Sequence, residues 1–255
     1  MNTRHLEQLS NARRNQETTD APKQENGKFI SAAAHDLRNP LAALKGYLGI
    51  LLEDTADTLT AEQSHLLKQA DHATDALFAL LRDMEDISAL ENSNFVLSID
   101  LTPVTPFLLE CVQTMELQAE EKDMKLILVR PETSFKARFD PVRMKHAVVE
   151  LLKNAIQFST PAATITVTAF RKNELLCFSV ADEGQGIPAA EVPSLFTDFA
   201  RISVRPTGNE HTTRLGLGIV RRIVEAHGGT MVVATEVLKG STFTIQIPWN
   251  DETEA

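Results

Sequence analysis

Two regularly spaced series of apolar residues near the start of the chain constrain its fold most strongly. The first series is Ile30, Ala34, Leu37, Leu41, Leu44, Leu48 and Leu51, and the second is Leu66, Ala70, Ala73, Leu77, Leu80, Met84 and Ile87. Steps that alternate between four and three residues place each series on one seam of an α-helix. Residues 55–60 supply a turn, and Thr60 with Gln63 resembles a capping box that opens the second helix. The sequence therefore predicts a helical hairpin.

A lone hairpin of this kind leaves much of its apolar surface in water. Two copies that pair as a four-helix bundle would bury both seams, so we predict a homodimer. Residues 1–24 precede the hairpin and are rich in polar and charged side chains. They contain too few apolar groups to offset the entropy of ordering, and we expect a flexible arm there.

The apolar pattern changes near Asn94, where short alternating runs replace the helical spacing. Strands are predicted at residues 96–101, 125–129, 164–170, 175–180, 231–234 and 242–247, and helices at 104–121, 141–158 and 216–227. This alternation predicts an α/β sandwich over residues 94–250, followed by a short tail at 251–255. The expected fold class is therefore α+β in two domains, a hairpin and a sandwich.

Charge and composition exclude several classes of function. The formal net charge of −10 at pH 7 argues against a nucleic-acid partner, because an acidic surface repels the phosphate backbone. No apolar run is long enough to span a membrane. Cys111 and Cys177 stand apart and His146 has no matching partner, so neither a disulfide framework nor a zinc site is predicted. A reducing cytoplasm is the expected compartment.

Three polar strings stand out against this background. His35 and Asp36 begin the string His-Asp-Leu-Arg-Asn-Pro-Leu, the segment Glu150 to Ser159 contains Asn154, and Asp182 begins Asp-Glu-Gly-Gln-Gly. A histidine beside a carboxylate offers a nucleophile with its base. An Asn-bearing helix and a Gly-rich turn offer a nucleotide site, but one without the Gly-x-x-x-x-Gly-Lys-[Ser/Thr] string of a P-loop. Together they predict an enzyme that phosphorylates itself.

The order and spacing of these strings resemble the two-component sensor histidine kinases over about residues 25–250. The string at His35 resembles the H box of that family, Asn154 lies in a string like its N box, and Asp182-x-Gly184-x-Gly186 resembles its G1 box. Residues 195–199 resemble the F box and residues 215–220 the G2 box. The resemblance implies a dimerisation and histidine-phosphotransfer hairpin at 25–93 and a Bergerat-type ATP-binding domain at 94–250.

The resemblance also implies an activity. ATP would phosphorylate His35, and the phosphate would pass to an aspartate on the receiver domain of a separate response regulator. Asp36 would be the base or orienter of the histidine ring, although from spacing alone it could instead cap or solvate the helix. Asn39 stands where relatives carry a polar side chain that orients water, which implies a phosphatase activity toward the receiver. The stimulus would come from an unknown sensory partner.

The nucleotide-binding residues follow from the same resemblance. Asn154 would ligate Mg²⁺ through its amide oxygen, and Asp182 would accept a hydrogen bond from the adenine amino group. Gly184 and Gly186 would let the backbone pass close to the base. The start of the last helix, Leu215, Gly216, Leu217 and Gly218, would present N–H groups to the phosphates. A lid at about 200–214 would cover the nucleotide.

Several positions depart from the family pattern. Glu150 stands where relatives commonly carry Asn, and it would assist proton removal or metal placement unless it is an ordinary exposed glutamate. Gln157 replaces a basic residue, and Thr212 and Arg214 replace glycines. We expect Arg214 to supply the phosphate-binding charge that Gln157 lacks. Two alternatives remain open: a catalytically impaired nucleotide-binding scaffold, and an ATPase of the same fold in which Glu150 activates water.

Overall fold

The residues described by a computed structural model of the chain are 33–34, 36–53, 59–91, 96–131, 133–197, 202–208 and 215–249. They belong to two compact units, Met1–Phe95 and Val96–Ala255. No helix among these residues is both long enough and apolar enough to cross a membrane.

The first unit contains the predicted helical hairpin. Helix α1 comprises the helical residues 33–34 and 36–53, and helix α2 covers Ala61–Glu91. The predicted capping box is present at the start of α2. The backbone N–H of Thr60 donates to Gln63 Oε1 at 2.9 Å, and the backbone N–H of Gln63 donates to Thr60 Oγ1 at 3.2 Å. These two bonds satisfy donors that the first turn of a helix cannot satisfy internally.

Ion pairs between the helices show that α1 and α2 run antiparallel. Lys45 Nζ lies 2.7 Å from a carboxylate oxygen of Asp71 and 2.8 Å from one of Asp75. Arg38, nearer the start of α1, pairs with Glu85, nearer the end of α2. Hydrogen bonds to Asp71 and Asp75 raise the pKa of Lys45. Exposed pairs of this kind contribute about 1 kcal/mol or less each.

The predicted seam of α1 separates into two faces. One set of positions, Ala34, Leu41 and Leu48, is buried or partly buried. The intervening set, Leu37, Leu44 and Leu51, has 52%, 45% and 44% of its surface exposed. Each set repeats every seven residues, so a single hairpin covers one face of α1 and leaves the other open.

In α2 the covered positions lie one residue beyond the predicted seam. Leu66 and Leu77, which belong to that seam, are 58% and 45% exposed, whereas Thr74 and Leu81 are 2% and 5% exposed. The spacing of apolar residues shows that α2 has a repeating face. It does not show whether the predicted seam or the row of residues one position further on faces α1. The predicted seam of α2 is therefore largely uncovered in one chain.

The second unit contains seven strands among the residues described. They are β1 (Asp100–Pro103), β2 (Lys125–Val129), β3 (Lys136–Phe139), β4 (Thr164–Lys172), β5 (Leu175–Asp182), β6 (Thr230–Glu236) and β7 (Gly240–Pro248). Five form one sheet in the order β2-β4-β5-β7-β6, with β2 parallel to β4 and the other pairs antiparallel. Each of these five contains its predicted run.

The remaining two strands show where the sequence prediction was wrong. β1 pairs with β3 in a separate antiparallel ribbon. The run predicted at 96–101 began before β1, and β3 was not predicted. β3 is only four residues long, and its Lys136 and Arg138 alternate with buried Ala137 and Phe139. So short an alternation is a weak signal beside the Pro and Ser residues that precede it.

Three helices pack with the sheet of the second unit. Helix α3 covers Val104–Glu120, α4 covers Pro141–Phe158 and α5 covers Gly216–Ala226. These bounds agree with the predicted helices, and two of the predictions ran one residue too far. Asp140 begins α4 as its N-cap, because its Oδ1 accepts the backbone N–H groups of Val142 and Arg143 at 3.1 and 3.0 Å.

The apolar core of the second unit lies between its helices and its sheet and is buried within a single chain. Phe139 lies between Phe107 and Phe178, with ring centroids 4.9 and 5.5 Å away. These three rings are at most 5% exposed. Burying a large apolar side chain contributes about 1.5–3 kcal/mol, so this core holds α3 and β3 firmly against β5.

Candidate functional site

Asp182, the last residue of β5, is fixed by two backbone donors. Its Oδ1 accepts the N–H of Gly184 at 2.8 Å and the N–H of Ser241 at 3.1 Å. Ser241 is opposite Asp182 in the register of β5 and β7. Burial raises the pKa of Asp182, and the two backbone hydrogen bonds oppose that rise. The carboxyl group is therefore held in one orientation as an acceptor in a poorly solvated site.

The two glycines that follow Asp182 are required by close approach of the backbone. A Cβ at Gly184 would come within 2.8 Å of both Asp182 Oδ1 and the carbonyl oxygen of Phe158. Gly186 has φ +65°, and a Cβ there would overlap the carbonyl oxygen of Glu236. A side chain at Gly184 would push the turn after β5 away from α4. A side chain at Gly186 would push the same turn away from β6.

Asp182 opens into a pocket with about 420 Å³ of empty space, including its open mouth. Thirteen residues line it: Asn154, Ala155, Phe158, Asp182, Gln185, Gly186, Ile187, Leu195, Ile202, Val204, Leu217, Ser241 and Phe243. The lining is largely apolar, with a few polar groups from α4, β5 and β7. Such a composition is typical of a site for a flat ring recognised by a small number of hydrogen bonds.

Helix α4 brings an amide and a carboxylate to this region. Asn154 Nδ2 donates to the carbonyl oxygen of Glu150 at 2.9 Å, so this bond engages the amide nitrogen and not Oδ1. The Glu150 residue is 8% exposed, and its Oε1 lies 3.2 Å from Lys153 Nζ. An amide oxygen and a carboxylate on one helix face are the hard ligands that Mg²⁺ prefers.

The start of α5 lies against the same carboxylate. A Cβ at Gly216 would overlap Glu150 Oε2, so this glycine lets α5 approach α4 closely. Leu215, the N-cap of α5, is 1% exposed, and Leu217 lines the pocket. An apolar N-cap leaves the first N–H groups of α5 without a capping oxygen from that residue. The positive end of the helix dipole therefore lies beside the Glu150 carboxylate.

Residues 202–208 form part of the pocket wall. Ile202 and Val204 line the pocket. Gln185 Nε2 donates to the carbonyl oxygen of Arg205 at 2.9 Å, and the N–H of Ser203 donates to Glu191 Oε2 at 2.8 Å. The first half of the predicted lid is therefore attached to the turn after β5.

The structure brings together many of the predicted residues but does not describe all of them. Asn154, Asp182, Gly186 and Leu217 line one pocket, Gly184 contacts Asp182, and Glu150 contacts Gly216. On α1, Asp36 and Asn39 are exposed. Gly218 is buried in the first turn of α5. His35, Thr212 and Arg214 lie outside the described residues.

Sequence reasoning missed several residues of the site. The N–H of Ser241 orients Asp182 from a strand distant in sequence, and nothing in the local string indicates it. His146 was given no partner, but one of its ring nitrogens lies within 4.8 Å of a carboxylate oxygen of Glu150. The signal for this pair was available, because residues four apart share a helix face. Glu150 is also buried, not exposed as the simplest alternative for it required.

Two family models match the chain. The His Kinase A (phospho-acceptor) domain matches residues 25–93. The family described as histidine kinase-, DNA gyrase B-, and HSP90-like ATPase matches residues 139–251. The first match covers both helices of the hairpin, and the second covers the pocket, α4 and α5.

Similar proteins are longer than this chain. The circadian input-output histidine kinase CikA of Synechococcus elongatus is 29% identical over 226 residues, which are 87% of this chain and 30% of that protein. The sensor histidine kinase WalK of Bacillus subtilis is 26% identical over 233 residues, 91% of this chain and 38% of WalK. The chain therefore spans between 30% and 38% of the length of these two relatives.

Solved structures share the fold. Full-length ShkA in complex with AMPPNP is 26% identical, with a TM-score of 0.72, over 87% of this chain and 46% of that one. The structure of the histidine kinase AdeS of Acinetobacter baumannii is 24% identical, with a TM-score of 0.60, over 85% of this chain and 98% of the chain in that structure. The predicted α+β fold of a hairpin followed by an α/β sandwich is confirmed.

Proposed function

We propose that this chain, which belongs to the two-component sensor histidine kinases, phosphorylates itself on His35 from ATP and passes the phosphate to an aspartate of a response-regulator receiver domain. One observation supports the nucleotide part above all: the Asp182 carboxyl group, fixed by Gly184 and Ser241, opens into an apolar pocket beside Asn154. A fixed acceptor in an apolar pocket suits the amino group and ring of adenine.

The phosphoryl transfer can be written with the residues of the chain. A lone pair on one ring nitrogen of His35 attacks the γ-phosphorus of ATP, and the bond from that phosphorus to the β,γ-bridging oxygen breaks. ADP leaves, and the other ring nitrogen gives its proton to a base. Asp36 is our first assignment for this base, and Glu150 our second. The phosphohistidine then transfers its phosphoryl group to the receiver aspartate.

The residues around the pocket also suit a divalent ion. Asn154 and Glu150 would hold Mg²⁺, because they offer hard oxygen atoms on neighbouring turns of α4. When bound with ATP, the ion would neutralise charge on the phosphates. The backbone N–H groups from Leu215 to Gly218 would face the phosphates, with Arg214 adding the charge that Gln157 lacks. Unchanged ATP affinity and autophosphorylation in Arg214→Ala would contradict the last assignment.

The two parts of the chain would divide the work. We assign dimerisation and phosphotransfer to residues 25–93 and ATP binding to residues 94–250, with an arm at 1–24 and a tail at 251–255. The uncovered face formed by Leu37, Leu44 and Leu51 favours pairing with a second copy. Input would come from an unknown sensory partner. Cys111 and Cys177 are free cysteines, as expected for a protein that works in the reducing cytoplasm.

A phosphatase activity is the second part of the proposal. Asn39 is exposed on the turn of α1 that follows the His35 position, where its amide could orient water at a receiver phosphate. The measurement is dephosphorylation of a phosphorylated receiver by the parent chain and by Asn39→Ala. If Asn39→Ala dephosphorylates the receiver as fast as the parent does, this role is wrong.

The kinase proposal is tested with Mg²⁺ and γ-labelled ATP. We expect acid-labile, base-stable label on the parent chain and none on His35→Gln. His72→Gln is the matched control, because His72 is an exposed histidine on the other helix of the hairpin, and it should label normally. Label that survives in His35→Gln would refute the assignment of His35.

The same experiment separates the two alternatives. Nucleotide binding without label would favour the impaired scaffold. Release of free phosphate without protein label, lost in Glu150→Gln, would favour an ATPase that activates water.

A further inference from the structure

The C-terminal end of α4 is capped by residues from elsewhere in the chain. Its last turn, all of which is described, contains no basic residue, although the final carbonyl groups of a helix need donors from outside it. The carbonyl oxygen of Ile156 accepts from Lys122 Nζ at 2.8 Å. The carbonyl oxygen of Gln157 accepts the backbone N–H of Thr207 at 2.9 Å. The donors thus come from the turn after α3 and from residues 202–208.

Lys122 and Thr207 also contact each other. Lys122 Nζ donates to Thr207 Oγ1 at 3.0 Å, and Thr207 Oγ1 donates to the carbonyl oxygen of Ser159 at 2.6 Å. The hydroxyl is therefore acceptor and donor at once. An ammonium group at a helix C-terminus is favourable, because the helix dipole is negative there. One charged side chain thereby joins α4 to the segment 202–208.

The position of Lys122 is set by the way α3 ends. The N–H of Met124 donates to the carbonyl oxygen of Ala119 at 2.8 Å, and Asp123 has φ 55°, which together resemble a Schellman ending. The N–H of Ala162 donates to the carbonyl oxygen of Lys122 at 3.4 Å. The backbone of Lys122 is thus held to the loop that follows α4, and its side chain is already directed at the helix end.

These contacts reach the nucleotide pocket through two of its walls. Asn154 and Phe158 on α4 form one wall, and Ile202 and Val204 belong to the segment that Thr207 attaches. We propose that Lys122 is a positioning residue for nucleotide binding, which acts through Thr207 to hold residues 202–208 on the end of α4 and so keeps both walls in place. The inference rests on the proposed function. It adds Lys122, which lies outside the sequence strings that resemble the family.

The first test is the affinity for ADP of Lys122→Met, measured by titration calorimetry. We expect the dissociation constant to rise about tenfold, equivalent to about 1.4 kcal/mol. Lys145→Met is the matched control, because Lys145 lies on α4 in an exposed pair with Glu110 at 2.7 Å, away from the pocket lining. Its affinity should stay within a factor of two of the parent.

The KM for ATP and the maximal rate of autophosphorylation distinguish a positioning role of Lys122 from a general role in stability. In autophosphorylation assays, Lys122→Met should raise KM for ATP about tenfold and leave the maximal rate within a factor of two to three. A fall in the maximal rate with unchanged KM would overturn the inference. So would ADP affinity equal to that of the parent, and this result would leave the kinase proposal intact.

The Thr207 hydroxyl gives an independent pair of variants should Lys122→Met fold poorly. Thr207→Val removes the hydroxyl and should weaken ADP binding, whereas Thr207→Ser keeps it and should restore parental affinity. The double variant Thr207→Val with Lys122→Met should weaken ADP binding little more than either substitution alone, because both substitutions break the same hydrogen-bond network. Equal affinity of the valine and serine variants would overturn the inference. Failure of the parent chain to bind ADP would overturn both this inference and the proposed function.

Discussion

The hairpin and the α/β unit bury their apolar residues in different ways. In the α/β unit, Leu152 and Ile219 are fully buried within one chain. In the hairpin, Leu44 and Leu51 of α1 and Leu66 of α2 remain 45%, 44% and 58% exposed. The helices of the α/β unit lie on a sheet that covers their apolar faces, whereas these leucines of the described hairpin keep much of their surface exposed.

This difference implies two kinds of stability. The α/β unit should unfold with a free energy that does not depend on protein concentration. The hairpin, if it pairs with a second copy as proposed, should become more stable as the concentration rises, because association and folding are linked. The following four predictions test this contrast, and they begin with the largest effect.

The double substitution Leu44→Lys with Leu51→Lys should separate the dimer. Burial of each leucine contributes about 1.5–3 kcal/mol, and two lysines per chain would add repulsion across the interface. We expect the dissociation constant of the dimer to rise at least about 100-fold. Sedimentation equilibrium measures the change. ADP binding by the α/β unit should not change.

Leu117→Lys is the matched control for this substitution. Leu117 lies on α3 of the α/β unit and is 69% exposed, so the same change there should leave the oligomeric state as it is. A hairpin variant that remains dimeric at the parental affinity would contradict the proposed interface.

Leu152→Ala should destabilise the α/β unit by about 2–5 kcal/mol, because it opens a cavity in a closed core. Trp249 is the only tryptophan of the chain, and its ring lies 5.4 Å from Phe135 in this unit. Its fluorescence in urea therefore follows this unit. The loss should be the same at low and high protein concentration. A loss that grows on dilution would mean that the unit depends on association.

Alanine in place of glycine should have opposite effects in the two regions. Gly186→Ala should destabilise the α/β unit by more than about 1–2 kcal/mol, because the left-handed φ of +65° already costs that much and the new Cβ would overlap Glu236. Gly46→Ala on α1 meets nothing within 4 Å and should stabilise the hairpin by up to about 1 kcal/mol.

Urea unfolding followed by tryptophan fluorescence for Gly186→Ala, and thermal unfolding followed by helical circular dichroism for Gly46→Ala, measure these two changes. The contrast would fail if both variants shifted stability in the same direction.

The two regions should also respond differently to pH. Burial lowers the pKa of His227 below 6.5, against a smaller opposing effect of the hydrogen bond to Ile223. Its Nε2 accepts the N–H of Asp140 at 3.0 Å, which requires the neutral ring. The stability it gives is fully present above pH 6.5 and is lost as the pH falls through its lowered pKa. The pH dependence from Lys45 in the hairpin has the opposite sign. Its pKa is raised, so the stability that its ion pairs give is lost only as the pH rises through that pKa.

His227→Gln tests this assignment. Urea midpoints of the parent and the variant, measured by tryptophan fluorescence between pH 8 and pH 5, should converge as the pH falls. A constant difference between them across this range would show that His227 does not titrate in the way its burial requires.

Local patterns were sufficient to predict most of the secondary structure. The bounds of α4 agree with the prediction because Asp140 and Pro141 begin the helix. β2 agrees because its apolar run ends sharply on both sides. The same patterns failed at β3, whose four residues pair with β1 across a long stretch of chain. They also failed to show which stripe of α2 faces α1, since both stripes repeat with the same period.

The sequence by itself determined the two units, the family, and the strings that contain Asn154 and Asp182, because spacing within a helix or turn is a short-range property. Only the tertiary structure decided how those residues are held. Ser241 meets Asp182 through the pairing of β5 with β7, and Lys122 meets Thr207 at the end of α4. These partners are far apart in the chain, and contacts between distant residues are set by packing and strand order, which no local pattern records.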